Sequence, residues 1–210
     1  MHKKIVFVLT LFAFTARAQQ YQTGDLLFQN LDCGGLCDAI ETVTQGYNGQ
    51  QFSHIGLVYM RNDSVYIIEA IGKEVQLTPI QQFKNRSKHL LVHARLEKNN
   101  IKLVPKAIQF ALAQLGKPYD EPFLYNNGKY YCSELIYDAF AFANNGKPFF
   151  RLEPMTFKQP HDSSFFPVWI DYYKQLNMEI PEGKPGINPG GISRSDKIIF
   201  LKEQSSKQTE

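Results

Sequence analysis

The chain is short of the features that would place it in several large classes. Its 210 residues hold no internal repeat and no low-complexity tract apart from a polar tail after Leu201. No apolar run reaches the ~20 residues that a spanning helix needs, so no transmembrane segment is expected in the mature chain. Lys and Arg number 23 against 20 Asp and Glu, and they gather into no cluster. A nucleic-acid binder needs a basic field on one face, so that function is disfavoured. Cysteine is scarce, with Cys33, Cys37 and Cys132 the whole supply. No histidine stands near Cys33 or Cys37 at zinc-site spacing, and His89, His93 and His161 have no metal-ligand spacing among themselves. No metal site is expected.

What is present begins with the first 18 residues. His2, Lys3 and Lys4 precede an apolar run from Ile5 to Phe14, and Ala16-Arg17-Ala18 follows as a small-x-small cleavage site. That is the layout of a secretory signal peptide, which makes the mature protein periplasmic or secreted. Residues 1–18 hold Lys3, Lys4 and Arg17 and no acid, so the remainder carries 20 basic against 20 acidic residues. The apparent basicity belongs to the export signal. A length of 210 residues, 43% of them hydrophobic, suits one globular domain, placed over 19–201 with the polar tail at 202–210.

Export favours disulfides, and an odd count leaves at least one thiol free in a monomer. Cys33 and Cys37 are near enough in sequence to pair, although a spacing of four on a regular helix gives poor disulfide geometry. On either reading Cys132 has no obvious partner. A lone thiol in an oxidising compartment needs a reason, and catalysis is one.

Along the chain, Gly24-Asp25-Leu26-Leu27-Phe28 reads as a turn into a short buried strand, and a helix is expected over Leu36 to Thr44. Ser53 to Met60 and Val65 to Ala70 form an antiparallel hairpin around the turn Arg61-Asn62-Asp63-Ser64. Val75 to Leu77, Leu90 to Leu96 and Ile198 to Leu201 are further strand candidates. Val104, Ala107, Ile108, Ala111, Leu112 and Leu115 recur at the helical period, with Pro105 in the first turn and Gly116 then Pro118 as the stop. A second helix starts near Tyr131 or Cys132, faces Leu135, Ile136, Ala139, Phe140 and Ala143 inward, and ends at Asn144-Asn145-Gly146. Pro181 to Gly191, rich in proline and glycine, is expected to wrap the surface. Strands and helices are segregated, which predicts an α+β class.

The start of that second helix is where chemistry is expected. Exposed N–H groups and the helix dipole favour a thiolate at Cys132. The bland alternative is a buried structural cysteine. His54 opens the first hairpin strand. With an even-length turn, residue i faces residue 125 − i, so Glu69 lies opposite Gly56 and diagonal to His54, their Cα atoms roughly 7–8 Å apart. A glutamate can span that gap to the imidazole, fix its tautomer and stabilise its charged form. The pattern therefore nominates Cys132 as nucleophile, His54 as base and Glu69 as the orienting carboxylate.

Five motifs in order extend this reading: Gly24-Asp25-Leu26-Leu27-Phe28, Ser53-His54-Ile55-Gly56, Ile68-Glu69-Ala70, Gly116-Lys117-Pro118-Tyr119-Asp120 and Tyr131-Cys132-Ser133-Glu134-Leu135. Together they resemble the YiiX-like permuted papain-fold hydrolases of the NlpC-like superfamily of cysteine peptidases and amidases. Gly190 to Ser195 resembles the family's closing segment. The resemblance implies a circularly permuted papain-like core with an antiparallel sheet packed on helices. It implies Cys132, His54 and Glu69 in the roles above, and Tyr119 in the substrate pocket. It requires no cofactor, and it points to an amide or peptide substrate such as a cell-wall peptide or an N-acyl amino acid. Cys33 and Cys37 are not part of the pattern. Two rivals remain at this stage. One is a lipid-ester hydrolase or acyltransferase of the lecithin–retinol acyltransferase type, whose Asn-Cys-Glu-His motif differs from Tyr131-Cys132-Ser133-Glu134. The other is a non-catalytic envelope-binding module on the same scaffold.

Overall fold

A computed structural model describes residues 21–89 and 91–201; the export signal expected over 1–18 and the tail over 202–210 lie outside them. In chain order the elements are β1 (Leu26–Gln29), α1 (Gly35–Val43), β2 (His54–Arg61), β3 (Ser64–Ile71), β4 (Glu74–Pro79) and α2 (Ile80–Lys84). There follow β5 (Val92–Leu96), α3 (Val104–Ala113), α4 (Cys132–Ala143), β6 (Glu153–Pro154), α5 (Pro167–Gln175), β7 (Pro185–Gly186), α6 (Pro189–Ser193) and β8 (Ile198–Leu201). β6 and β7 pair only with each other, and the other six strands form one antiparallel sheet in the order β4-β3-β2-β1-β5-β8. The architecture is α+β, as the segregation of patterns implies.

The central hairpin follows from its turn. Asn62 and Asp63 take φ of 48° and 59°, the left-handed conformations that a two-residue loop needs to match the strand twist. The resulting register pairs Leu57 with Ile68 and Met60 with Val65. Alternation then sends Leu57 and Ile68 to the face covered by the helices, with Leu26 and Phe28 of β1. Leu27, Val58 and Ile67 take the opposite face, where Phe83 of α2 covers them.

α4 supplies the other half of the main core. Leu135, Ile136, Ala139, Phe140 and Ala143 are all buried, as their spacing requires. α3 packs beside it through Ala107, Ile108 and Ala111. The expected stripe of α3 is one turn too long, because the helix ends at Ala113 and Leu115 is exposed in the turn beyond it. A third, smaller cluster joins Ala39 of α1 to Trp169 and Tyr173 of α5.

Of two further features, one decides a pairing that the sequence leaves open and the other departs from expectation. Cys33 and Cys37 form a disulfide with Cα atoms 5.4 Å apart. The poor geometry of a helical pair does not arise, because Cys33 precedes α1 and Gly34, at φ 73°, turns the chain between them. The Pro181–Gly191 stretch is also not a surface wrap throughout. Ile187, Pro189 and Gly190 are buried, because this segment is strapped across the start of α4.

The Asp25 motif has a structural role. Its carboxylate accepts from Gln22 N at 2.8 Å, His93 Nε2 at 2.7 Å and Arg95 Nε at 2.6 Å, tying the entry of β1 to β5. Burial pushes the Asp25 carboxyl up, but Arg95 and His93 outweigh it and hold it below the ordinary value.

Candidate active site

Cys132 is the first residue of α4, after Tyr131 in an extended conformation. Among the described residues it is the free cysteine, buried but lining a cavity. Its own N–H lies in the first turn, where no intrahelical acceptor exists. His54 stands at the first position of β2, and Glu69 is one diagonal step away across the hairpin. The His54 Nε2 to Glu69 Oε2 distance is 2.6 Å. The two-residue turn, by fixing an even register, is what puts both side chains on one face.

Glu69 is fully buried and is held from the other side by Arg86, whose Nη1 donates to Oε2 at 2.7 Å while Nη2 lies 2.6 Å from Oε1. Arg86 also donates to Thr78 Oγ1. Burial raises the Glu69 carboxyl, but His54 and Arg86 overcome that and take it from 4.5 to about 2. Burial likewise opposes charge on His54. Hydrogen bonds with Cys132 and Glu69, and their charges, prevail and lift the imidazole from 6.5 to about 9. With Nε2 given to Glu69, the other ring nitrogen is the one left for the thiol. The arrangement is an imidazole kept cationic at neutral pH between a sulfur and a buried carboxylate. It can stabilise a thiolate and hand a proton to a leaving group.

The cavity over Cys132 has a volume of about 160 Å³. Its walls are mixed, with Ile40 and Val43 of α1, Phe123, Phe157 and Trp169 beside the charged Glu153 and Arg194. Tyr119 is in the wall too. Burial pushes the Tyr119 phenol well above its ordinary value, so it remains a neutral donor. The loop that carries Tyr119 and Phe123 is pinned by two buried carboxyl groups. Asp120 accepts from Leu124 N at 2.6 Å and from Asn127 Nδ2 at 2.7 Å, and Glu134 Oε1 accepts from Asn126 N at 2.8 Å.

Burial, with Asp120 and Asp138 nearby, raises Glu134 from 4.5 to about 8. A raised carboxyl holds its proton in the folded state after the unfolded chain has lost it. Folding stability therefore falls as pH rises from about 4.5 to about 8, and is level above that. Glu134→Gln keeps an acceptor for Asn126 and removes this slope. In urea titrations its stability relative to the parent is expected to grow across that window; a constant difference between pH 5 and pH 8.5 would contradict the assignment.

The strap completes the site. Ile187 N donates to Tyr131 Oη at 3.2 Å, and Ser133 Oγ donates to Ile187 O at 2.9 Å, so the residues on both sides of Cys132 grip it. Gly190 presses on the end of α1, where a Cβ would stand 2.8 Å from Thr44 O. Ser193 Oγ donates to Gly190 O at 2.7 Å and accepts from Tyr47 N at 2.9 Å.

Sequence reasoning reached Cys132, His54, Glu69 and Tyr119, and the structure brings these four to one place. It missed Arg86, which sits among Lys84 and Lys88 in a stretch without periodicity, and the pinning roles of Asp120 and Glu134. Inside the quoted motifs, only the acidic character of those two residues in apolar surroundings could have pointed to them.

A histidine-bearing hairpin that precedes a helix started by cysteine, in an antiparallel sheet packed on that helix, defines a permuted papain-like protein. The chain belongs to the permuted papain-like amidase family of YaeF and YiiX, the C92 peptidases, whose pattern matches residues 20–201. It is thus a papain-like cysteine hydrolase of the amidase and peptidase kind. It is 32% identical over 142 residues to the uncharacterised protein YiiX of Escherichia coli K12, covering 67% of each chain. It also superimposes on the crystal structure of YiiX from E. coli O157:H7, described as a metalloprotein, with a TM-score of 0.73 and 26% identity. That match covers 89% of this chain and 99% of the other.

Proposed function

We propose that this chain hydrolyses the amide bond of an N-acyl amino acid or small peptide with an apolar acyl group, through a thioester on Cys132. The observation that carries the reading is His54, charged at neutral pH and held by Glu69, beside a cysteine that opens onto a cavity with aliphatic and aromatic side chains in its wall. The thiolate attacks the carbonyl carbon, and the imidazolium of His54 gives its proton to the departing amine. The imidazole then takes a proton from water, whose hydroxide releases the acid. Glu69 holds the ring in the tautomer and charge state that both half-reactions use, and Tyr119 forms part of the wall against the acyl group.

The aliphatic and aromatic part of the lining also favours a second reading, transfer of an acyl group from a lipid ester to an acceptor other than water. The two are separated by the product. The metal in the neighbour's description enters no step, because among the described residues of this chain no three or more His, Cys, Asp and Glu side chains gather as a metal ion would need.

Export belongs to the same proposal. A disulfide at Cys33–Cys37 suits an oxidising compartment, and the first 18 residues have the export pattern. Among the described residues no helix is long and apolar enough to cross a membrane.

The test is to mix the mature protein with N-acyl amino acids of increasing chain length, quench in acid and weigh the protein. A mass gain of one acyl group on Cys132, released as free acid, is expected. An unmodified Cys132 with every amide and ester tried would refute the hydrolase mechanism, and release only to an added alcohol or amine would favour acyl transfer.

A further inference from the structure

The oxygen that becomes negative when the thiolate attacks needs hydrogen-bond donors; the Cys132 N–H, in the first turn of α4 without an intrahelical acceptor, can be one, and a second is required. Asn188 is placed to supply it. It lines the same cavity as Cys132 and directly follows Ile187, which Tyr131 and Ser133 fasten to the two sides of the nucleophile. Its amide cannot turn. Oδ1 accepts from Gly191 N at 2.6 Å, a role the NH₂ group cannot fill, so Nδ2 is committed to the opposite direction. That nitrogen has no hydrogen-bond partner among the described residues. A half-buried amide, oriented by one bond and left with free donors at a nucleophile's cavity, is a preorganised electrostatic group.

We propose that Asn188 is a catalytic residue whose Nδ2–H and the Cys132 backbone N–H together hold the substrate's carbonyl oxygen. The inference rests on the hydrolase reading above. As the sulfur–carbon bond forms, the π pair of the carbonyl moves onto oxygen and is received by these two donors. When the pair returns, the C=O bond re-forms and the leaving group departs with the electrons of the broken bond. An aryl ester loses its phenolate, and an amide loses its amine with the proton of His54.

The test uses Asn188→Ser and Asn188→Asp, because both keep an oxygen able to cap Gly191 N. Neither presents an amide donor to the cavity. Single-turnover acylation of Cys132 by p-nitrophenyl hexanoate is followed beside alkylation by iodoacetamide, a displacement that creates no oxyanion. Acylation is expected to slow by ~100-fold or more in both variants, the usual loss for one oxyanion donor. Alkylation of the uncharged Asn188→Ser variant is expected to stay within about threefold of the parent, because the residue acts only on the oxyanion.

Acylation of Asn188→Ser at the parent's rate would overturn the assignment, and a loss confined to Tyr119→Phe would transfer the role to that phenol. Acylation and alkylation falling together would reduce Asn188 to a structural cap. A parent enzyme that is alkylated but never acylated would fail the hydrolase reading itself, a result distinct from all of these.

Discussion

Glu69→Ala is expected to cost the protein ~3–5 kcal/mol of folding stability and most of its activity. The carboxylate has no exposed surface and lies between His54 Nε2, at 2.6 Å, and the Arg86 guanidinium, at 2.6 and 2.7 Å. Its removal leaves two cationic groups facing each other with no counter-charge, which is the costly way to break a buried ion pair. At ~2–4 °C per kcal/mol for a domain of this size, Tm is expected to fall by roughly 10 °C.

Glu69→Gln separates the electrostatic part from the cavity. The amide preserves volume and one acceptor but not the charge, so His54 is no longer held near 9 and its ring orientation is less exclusive. A fall in kcat/KM of ~10²–10⁴-fold is expected, the range seen where such an orienting acid is neutralised. Acid titration gives the complementary sign. Glu69 is lowered from 4.5 to about 2, so its contribution is present above 4.5 and disappears as pH drops through about 2. Part of the parent's stability is therefore expected to be lost towards pH 2, a phase that Glu69→Gln lacks. Activity of Glu69→Gln within fivefold of the parent would remove the carboxylate from the mechanism.

The second large effect concerns His54. Its imidazole is raised from 6.5 to about 9, so the proton is bound throughout the neutral range and its stabilising contribution is complete below 6.5. That contribution is lost as pH rises through about 9. Acylation of an amide needs the same proton for the leaving amine. The alkaline limb of kcat/KM is thus expected to have its midpoint at about 9, and the His54 ring C–H resonances to titrate with it. His54→Ala is expected to lower kcat/KM by ~10³-fold or more. An ester with a good leaving group does not need the proton, so its loss in His54→Ala is expected to be smaller than that of an amide. A His54 titration near 6.5 would contradict the coupling to Cys132 and Glu69.

Much of this site could be read from sequence because its geometry is local or periodic. The His54–Glu69 approach depends only on a two-residue turn and a period of two, and the observed pairing of Leu57 with Ile68 is the one that turn length dictates. Cys132 at a helix start follows from the stripe of Leu135, Ile136, Ala139 and Phe140 behind it. The meeting of helix start and hairpin was not local, and only the ordered resemblance of five motifs pointed to it. Arg86 and the strap were hidden for a different reason. Arg86 reaches Glu69 from a short polar stretch, and Ile187–Gly190 is held by Tyr131 and Ser133 through side-chain to backbone bonds that leave no periodic trace. The Cys33–Cys37 bond depends on the backbone between the two residues: Cys33 lies outside α1 and Gly34, at φ 73°, turns the chain, which spacing alone leaves open.

Activation of Cys132 by His54 is central to the chemistry, and alkylation by iodoacetamide at pH 7 measures it with no knowledge of the substrate. Cys33 and Cys37 are paired, so Cys132 is the thiol available in the oxidised protein. Mass spectrometry of the parent and His54→Ala gives the two rates. One label is expected, on Cys132, acquired at least ~10-fold more slowly when the imidazole is gone. Equal rates in a folded His54→Ala protein would contradict it and leave Cys132 an ordinary buried thiol.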